Sequence, residues 1–131
     1  MKFNSLIPEL SVINIEESKR FYIDILGFNL EYERVEDKFA FLSLEDIQIM
    51  IEEVNGYWNT GELEYPFGRG INLEMKVSNV EEIRDNLVIN NIELFRDITI
   101  SEYESNGKII VQKEFLVQDL NGYLLRFCMH K

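Results

Sequence analysis

Val12-Ile13-Asn14-Ile15-Glu16-Glu17 returns 65 residues later as Val77-Ser78-Asn79-Val80-Glu81-Glu82, half of a 131-residue chain. Each copy closes an alternating apolar run with Asn, followed three positions on by Glu. That is a helix start: the Asn side chain accepts from a backbone N–H of the first turn, and the Glu supports the same turn. The repeat extends outward. Leu26-Gly27-Phe28-Asn29-Leu30 answers to Asn90-Asn91-Ile92-Glu93-Leu94, and Phe41-Leu42-Ser43-Leu44-Glu45-Asp46-Ile47 to Phe115-Leu116-Val117-Gln118-Asp119, with Asn121-Gly122 as the second turn. A period of this kind decides the architecture before any single element does.

Around the two caps the pattern reads βαβββ twice. The first copy has a strand at Leu6–Ile13, a helix from Asn14 to Leu26, and strands at Asn29–Val35, Phe39–Leu44 and Ile47–Glu53. The second has a strand at Ile71–Val77, a helix at Val80–Ile89, and strands at Ile92–Ile98, Lys108–Val117 and Tyr123–Met129. The expected fold is α+β: one domain over residues 1–131, with modules at 1–53 and 71–131, a linker at 54–70, and mixed sheets curling around a cleft. The length suits one domain burying roughly two-thirds of its unfolded surface.

Composition narrows the partners. A net charge of −11 argues against nucleic acid, whose phosphates call for Lys and Arg. Residues 1–65 carry 14 acidic and 5 basic side chains, so the excess lies in the first half and favours a cationic ligand as well as solubility. No apolar run reaches the ~20 residues of a membrane span. The start of the chain lacks the apolar region of a signal peptide, and a single cysteine, Cys128, fits a reducing compartment. A cytoplasmic protein is expected.

Strand alternation sorts the side chains. If Leu10 and Val12, Ile49 and Ile51, Met75 and Val77, and Leu125 and Phe127 pack on helices, the opposite faces carry Glu9, Met50, Glu52, Asn72, Glu74, Arg126 and Cys128. Phe39, Phe41 and Ser43 join them. Tyr32 and Gln112, on neighbouring strands, complete the strand-borne candidates. The linker adds Tyr57, Trp58, Tyr65 and Phe67, rings that can stack on a planar ligand or receive a cation. The same rings could instead seal a join between modules. No nucleophile–base pair for acid–base catalysis is evident.

Phe21-Tyr22 with Leu26-Gly27-Phe28, and Phe115-Leu116-Val117-Gln118-Asp119-Leu120-Asn121-Gly122-Tyr123-Leu124-Leu125, resemble the glyoxalase/bleomycin-resistance/dioxygenase (vicinal oxygen chelate) superfamily. Pro66-Phe67-Gly68-Arg69-Gly70 is similar to its bleomycin-resistance branch. Leu120 stands where the family often has Pro. The resemblance implies metal ligands on the first and last strands of each module, which here are Ile7, Met50, Asn72 and Arg126. Those side chains are poor metal ligands, so no metal and no cofactor is expected. A displaced register of Glu9, Glu52, Glu74 and Cys128 is the other arrangement that could hold a cation. His130 is expected at a frayed terminus.

The resemblance thus implies a metal-free protein that sequesters a cationic, partly aromatic small molecule such as a glycopeptide antibiotic. It also implies a homodimer, with an exchanged N-terminal strand as one possible form. The alternatives are a metal-dependent lyase, dioxygenase or thiol-transferase with a non-standard ligand set, and an accessory domain that has lost its ligand.

Overall fold

Two copies of one sheet make up the chain. The structure, a computed structural model, describes residues 1–130. One compact unit ends at Phe67 and the next begins at Gly68, so residues 54–67 belong with the first module. The first unit runs β1 (Glu9–Val12), α1 (Ile15–Lys19), β2 (Asn29–Arg34), β3 (Phe39–Leu44) and β4 (Ile47–Glu53). The second runs β5 (Asn72–Lys76), α2 (Val80–Ile89), β6 (Arg96–Ser105), β7 (Lys108–Gln118) and β8 (Leu124–His130). The strand orders are β1-β4-β3-β2 and β5-β8-β7-β6, the same order twice. In each sheet the first and last strands pair in parallel and the remaining pairs are antiparallel. This is the α+β, twofold βαβββ architecture expected from the repeat.

Both caps form. Asn14 Oδ1 accepts from Glu17 N at 3.0 Å, and Asn79 Oδ1 from Glu82 N at 3.1 Å. In the first unit Glu53 Oε1, at the end of β4, takes the Ile15 N–H at 3.1 Å, so a strand satisfies a helix-terminal donor that the helix itself leaves free. After Lys19 the helix widens into a π-helical segment, Arg20–Ile25, with Leu26 N bonded back to Phe21 O. The wide turn lets two adjacent rings face inward. Phe21 and Tyr22 are both buried, edge to face at 5.4 Å, and Tyr22 meets Phe28 in the same way at 5.5 Å.

Several boundaries differ from the sequence reading. β1 starts at Glu9 rather than Leu6. Pro8 has no N–H to give the ladder, and the chain before it is tied by Asn4 N to Gln48 Oε1 and by Gln48 Nε2 to Lys2 O, each at 2.7 Å. β6 covers Arg96–Ser105 instead of Ile92–Ile98. Ile92 N closes the end of α2 on Leu87 O, and the β6–β7 hairpin turns at Asn106-Gly107, with φ of 53° and 80°. Asn-Gly is the pair such a two-residue turn demands. β8 extends to His130, which is therefore a strand residue.

The core follows the predicted alternation. Leu10, Val12, Ile49 and Ile51 are buried in the first unit; Met75, Val77, Leu125 and Phe127 in the second. Ile71, expected on the packed face, lies ahead of β5 and is exposed. Gly68 has φ +72°, and a Cβ there would stand 2.6 Å from the Tyr123 ring, so this turn excludes any larger residue.

Because the Asn79 cap serves the ten-residue α2, Asn79→Ala is expected to lower stability by about 1 kcal/mol, while Asn79→Ser retains most of it. Thermal unfolding of the two variants against the parent measures the difference.

Candidate functional site

In the second unit the face of the sheet opposite the buried Leu125 and Phe127 carries a connected polar network. β5 and β8 pair in register at Glu74 and Arg126, and β7 brings Glu114 opposite Cys128 and Gln112 opposite His130. Arg126 is the hub. Its Nε and Nη2 lie 3.1 and 2.9 Å from Glu114 Oε2, and its Nη1 donates to Asn72 Oδ1 at 3.1 Å. Buried Gln112 donates through Nε2 to Glu114 at 3.0 Å and to Glu74 at 3.5 Å. The Cys128 thiol, also buried, donates to Glu74 Oε1 at 3.4 Å. Burial, reinforced by the Glu74 contact and by the Glu74 and Glu114 charges, pushes this thiol up to about 12. It is a protonated, unreactive sulfur in this state.

In the first unit, Glu9 and Glu52 lie on the paired strands β1 and β4, Glu9 in register with Met50. Burial, with the Glu52 charge second, raises the Glu9 carboxyl above its ordinary value, and Arg34 offsets part of that rise. Phe39 and Phe41 do not form an open aromatic floor. Tyr32 stacks on Phe41 at 5.2 Å, Phe3 meets it edge-on at 5.5 Å, and the Arg34 guanidinium sits 4.0 Å above Phe39. Both Phe rings are consequently buried, at 3% and 1% exposure, while Tyr32 remains accessible. Beside them Glu36, Asp37, Lys38, Glu52 and Glu53 line an acidic hollow in which Lys38 pairs with Glu53 at 2.9 Å.

Of the loop rings, Tyr57, Trp58 and Tyr65 are exposed and Phe67 is buried. Tyr57 and Trp58 pack edge to face at 4.6 Å. Thus the structure joins Asn72, Glu74, Gln112 and Arg126 in one network and groups Glu9, Met50 and Glu52 on adjacent strands. Glu114, Arg34 and Phe3 were missed in the sequence reading. Glu114 was findable: Phe115 and Val117 fix the packed face of β7, which leaves Gln112 and Glu114 together on the other.

No protein-family model and no curated protein matches the chain. Solved structures do. A glyoxalase/bleomycin resistance protein/dioxygenase superfamily member from Vibrio splendidus 12B01 shares 30% identity, covering 92% of this chain and 94% of that one, at a TM-score of 0.43. TioX from Micromonospora sp. ML1 is 16% identical over 98% of this chain and 100% of its own, with a TM-score of 0.74. A glyoxalase/bleomycin resistance protein/dioxygenase from Alicyclobacillus acidocaldarius gives 17%, 97%, 91% and 0.66 in the same order; at such identity these two share the fold. The chain has the fold of the glyoxalase/bleomycin resistance/dioxygenase superfamily.

The metal positions implied by that resemblance fail a chemical test. In the second module they are Asn72 and Arg126, hydrogen-bonded to each other, so a fixed guanidinium stands where a cation would be needed. In the first, Ile7 and Met50 offer an alkyl chain and a thioether, neither suited to a hard or borderline ion. The residues present do not fit a metal at these four positions.

A Glu whose folded pKa is raised contributes stability that is complete below its unfolded pKa and is lost as pH rises through the folded value. Glu9→Gln is therefore expected to raise the melting temperature at pH 7, and the gain should vanish on acidification to pH 4. Parallel melts at the two pH values check this.

Proposed function

We propose that the chain binds and sequesters a cationic, partly aromatic small molecule, as in the bleomycin-resistance branch, with no metal at the superfamily's ligand positions and no chemical turnover. The observation that carries this reading is the 3.1 Å hydrogen bond from Arg126 to Asn72. It spans two positions where the superfamily's enzymes hold an ion that polarises a substrate oxygen. The preference for a cation is supported by the acidic hollow beside Glu52, by the net charge of −11, and by a Glu9 carboxyl held near a second carboxylate. Exposed Tyr57, Trp58, Tyr65 and Tyr32 offer the ring faces on which a planar ligand stacks.

Chelator-treated protein screened by thermal shift against bleomycin-type glycopeptides and other cationic antibiotics should yield a stabilising ligand. Calorimetry on that ligand should show affinity falling with salt, since the Debye length shrinks from about 10 Å at 0.1 M to about 3 Å at 1 M. Trp58→Ala should weaken binding by roughly 1–2 kcal/mol. A screen without a cationic hit, or binding indifferent to both changes, overturns the proposal. An anionic ligand would instead assign specificity to Arg126.

We also propose a homodimer. The edge strands β2 and β6 leave Leu30, Tyr32, Ile100 and Tyr103 exposed, and such edges are commonly covered. Light scattering should report twice the 15.5 kDa chain mass at micromolar concentration, and a monomer refutes it.

A further inference from the structure

We propose that the second module carries a site for a thiophilic divalent ion of the zinc class on Glu74, Cys128 and His130. Cys128 and His130 are i and i+2 on β8 and so share a face, and Glu74 reaches the same place from β5, the strand paired in parallel to β8. Their donor atoms, a carboxylate oxygen, a sulfur and an imidazole nitrogen, all lie within 4.8 Å of one another. Among the described residues no other group of three or more His, Cys, Asp or Glu side chains meets this spacing.

The Cys128 Sγ to Glu74 Oε1 distance of 3.4 Å already matches the edge of a tetrahedral zinc site, about 3.5 Å for Zn–S near 2.3 Å and Zn–O near 2.0 Å. Glu74 and His130 are exposed, and rotation of their side chains closes the remaining gap. The buried sulfur supplies the selectivity, because thiolate with imidazole favours zinc, cobalt or copper over magnesium and calcium.

Charge supports the same ion. With the thiol deprotonated, Cys128 and Glu74 carry two negative charges, and Glu114 and Arg126, paired at 2.9 Å, cancel each other. A divalent cation brings the group to neutrality. Gln112, buried and bonded to Glu74 Oε1, holds one carboxylate oxygen in place from the second layer. Three protein ligands leave a fourth position open to water or an exogenous donor.

The site is two and four residues along β8 from Arg126, so it is separate from the superfamily positions, whose chemistry excludes a metal at those residues only. Its occupancy does not depend on the ligand proposed above. The test uses the full chain, stripped with chelator and titrated with Zn²⁺ and Co²⁺ by calorimetry and absorption, with Mg²⁺ as the control. One Zn²⁺ per chain, a thiolate-to-cobalt charge-transfer band and no Mg²⁺ heat are expected. Cys128→Ser should abolish the band. His130→Ala, at an exposed strand end, should fold normally by circular dichroism and lose affinity by at least ~10-fold, which keeps the test decisive should the buried Cys128→Ser variant fail to fold. Absence of saturable Zn²⁺ binding, of the cobalt band in the parent, or of any effect of His130→Ala overturns the site. Because the ligand screen is run in chelator and this titration without ligand, either proposal can fail alone.

Discussion

Period-two alternation along the strands is the constraint on which everything else here depends. Each sheet must bury one face against its helix, and the residues that do so, from Leu10 and Val12 in β1 to Leu125 and Phe127 in β8, are almost fully removed from water. Every second residue is thereby committed to the opposite face, whatever its chemistry. Glu9, Glu52, Asn72, Glu74, Arg126, Cys128 and His130 are positioned by their apolar neighbours in sequence rather than by attraction to one another. A one-residue slip of any strand would exchange core for site, so the Asn caps that set where β1 and β5 give way to helices also set the chemistry.

Within that frame the second module solves an electrostatic problem. Glu74 and Glu114 stand on a sheet face with a buried amide and a buried thiol, a setting in which uncompensated carboxylates are costly. Arg126 compensates Glu114 through a two-pronged contact and reaches Asn72 with its remaining nitrogen. A guanidinium is permanently charged, planar and rigid, so it organises this face without an exchangeable ion. Arg126 leaves Glu74 at 4.0 Å, at the limit of an ion pair, with Cys128 and Gln112 as its nearer partners. The network is thus fully occupied on the Asn72–Glu114 side and under-neutralised on the Glu74–Cys128 side.

The sequence revealed the fold through the capping repeat, because a cap is a local device whose partners lie within four residues. It revealed the polar faces of β4, β5 and β8 for the same reason. What escaped it depended on contacts between distant segments. The burial of Phe39 and Phe41 results from Tyr32, Arg34 and the N-terminal Phe3 converging on them, and no period along β3 carries that information. Alternation in β3 is itself masked, since Ala40 and Leu42 are buried on one face while Phe39, Phe41 and Ser43 are buried on the other. The π-helical turn after Lys19 was hidden because adjacent Phe21 and Tyr22 violate a 3.6-residue stripe and suit a wider one. β6 was displaced because Ile92 and Leu94 mimic a strand, whereas the Asn106-Gly107 turn marks the hairpin.

His130 shows how a single boundary changes the chemistry that can be read. Placed beyond the last strand, it is an unrestrained side chain with no partner to act with. Placed inside β8, it acquires a direction, because residues two apart on a strand point the same way and Cys128 is already directed at Glu74. The extension is itself a packing result: β7 is eleven residues long and keeps pairing with β8 as far as Gln112 opposite His130. β7 begins at Lys108, directly after the Asn106-Gly107 turn, and so already runs beside β8 where Gln112 meets His130. The reach of β7 along β8 therefore decides whether the imidazole is held in the sheet beside a thiol and a carboxylate.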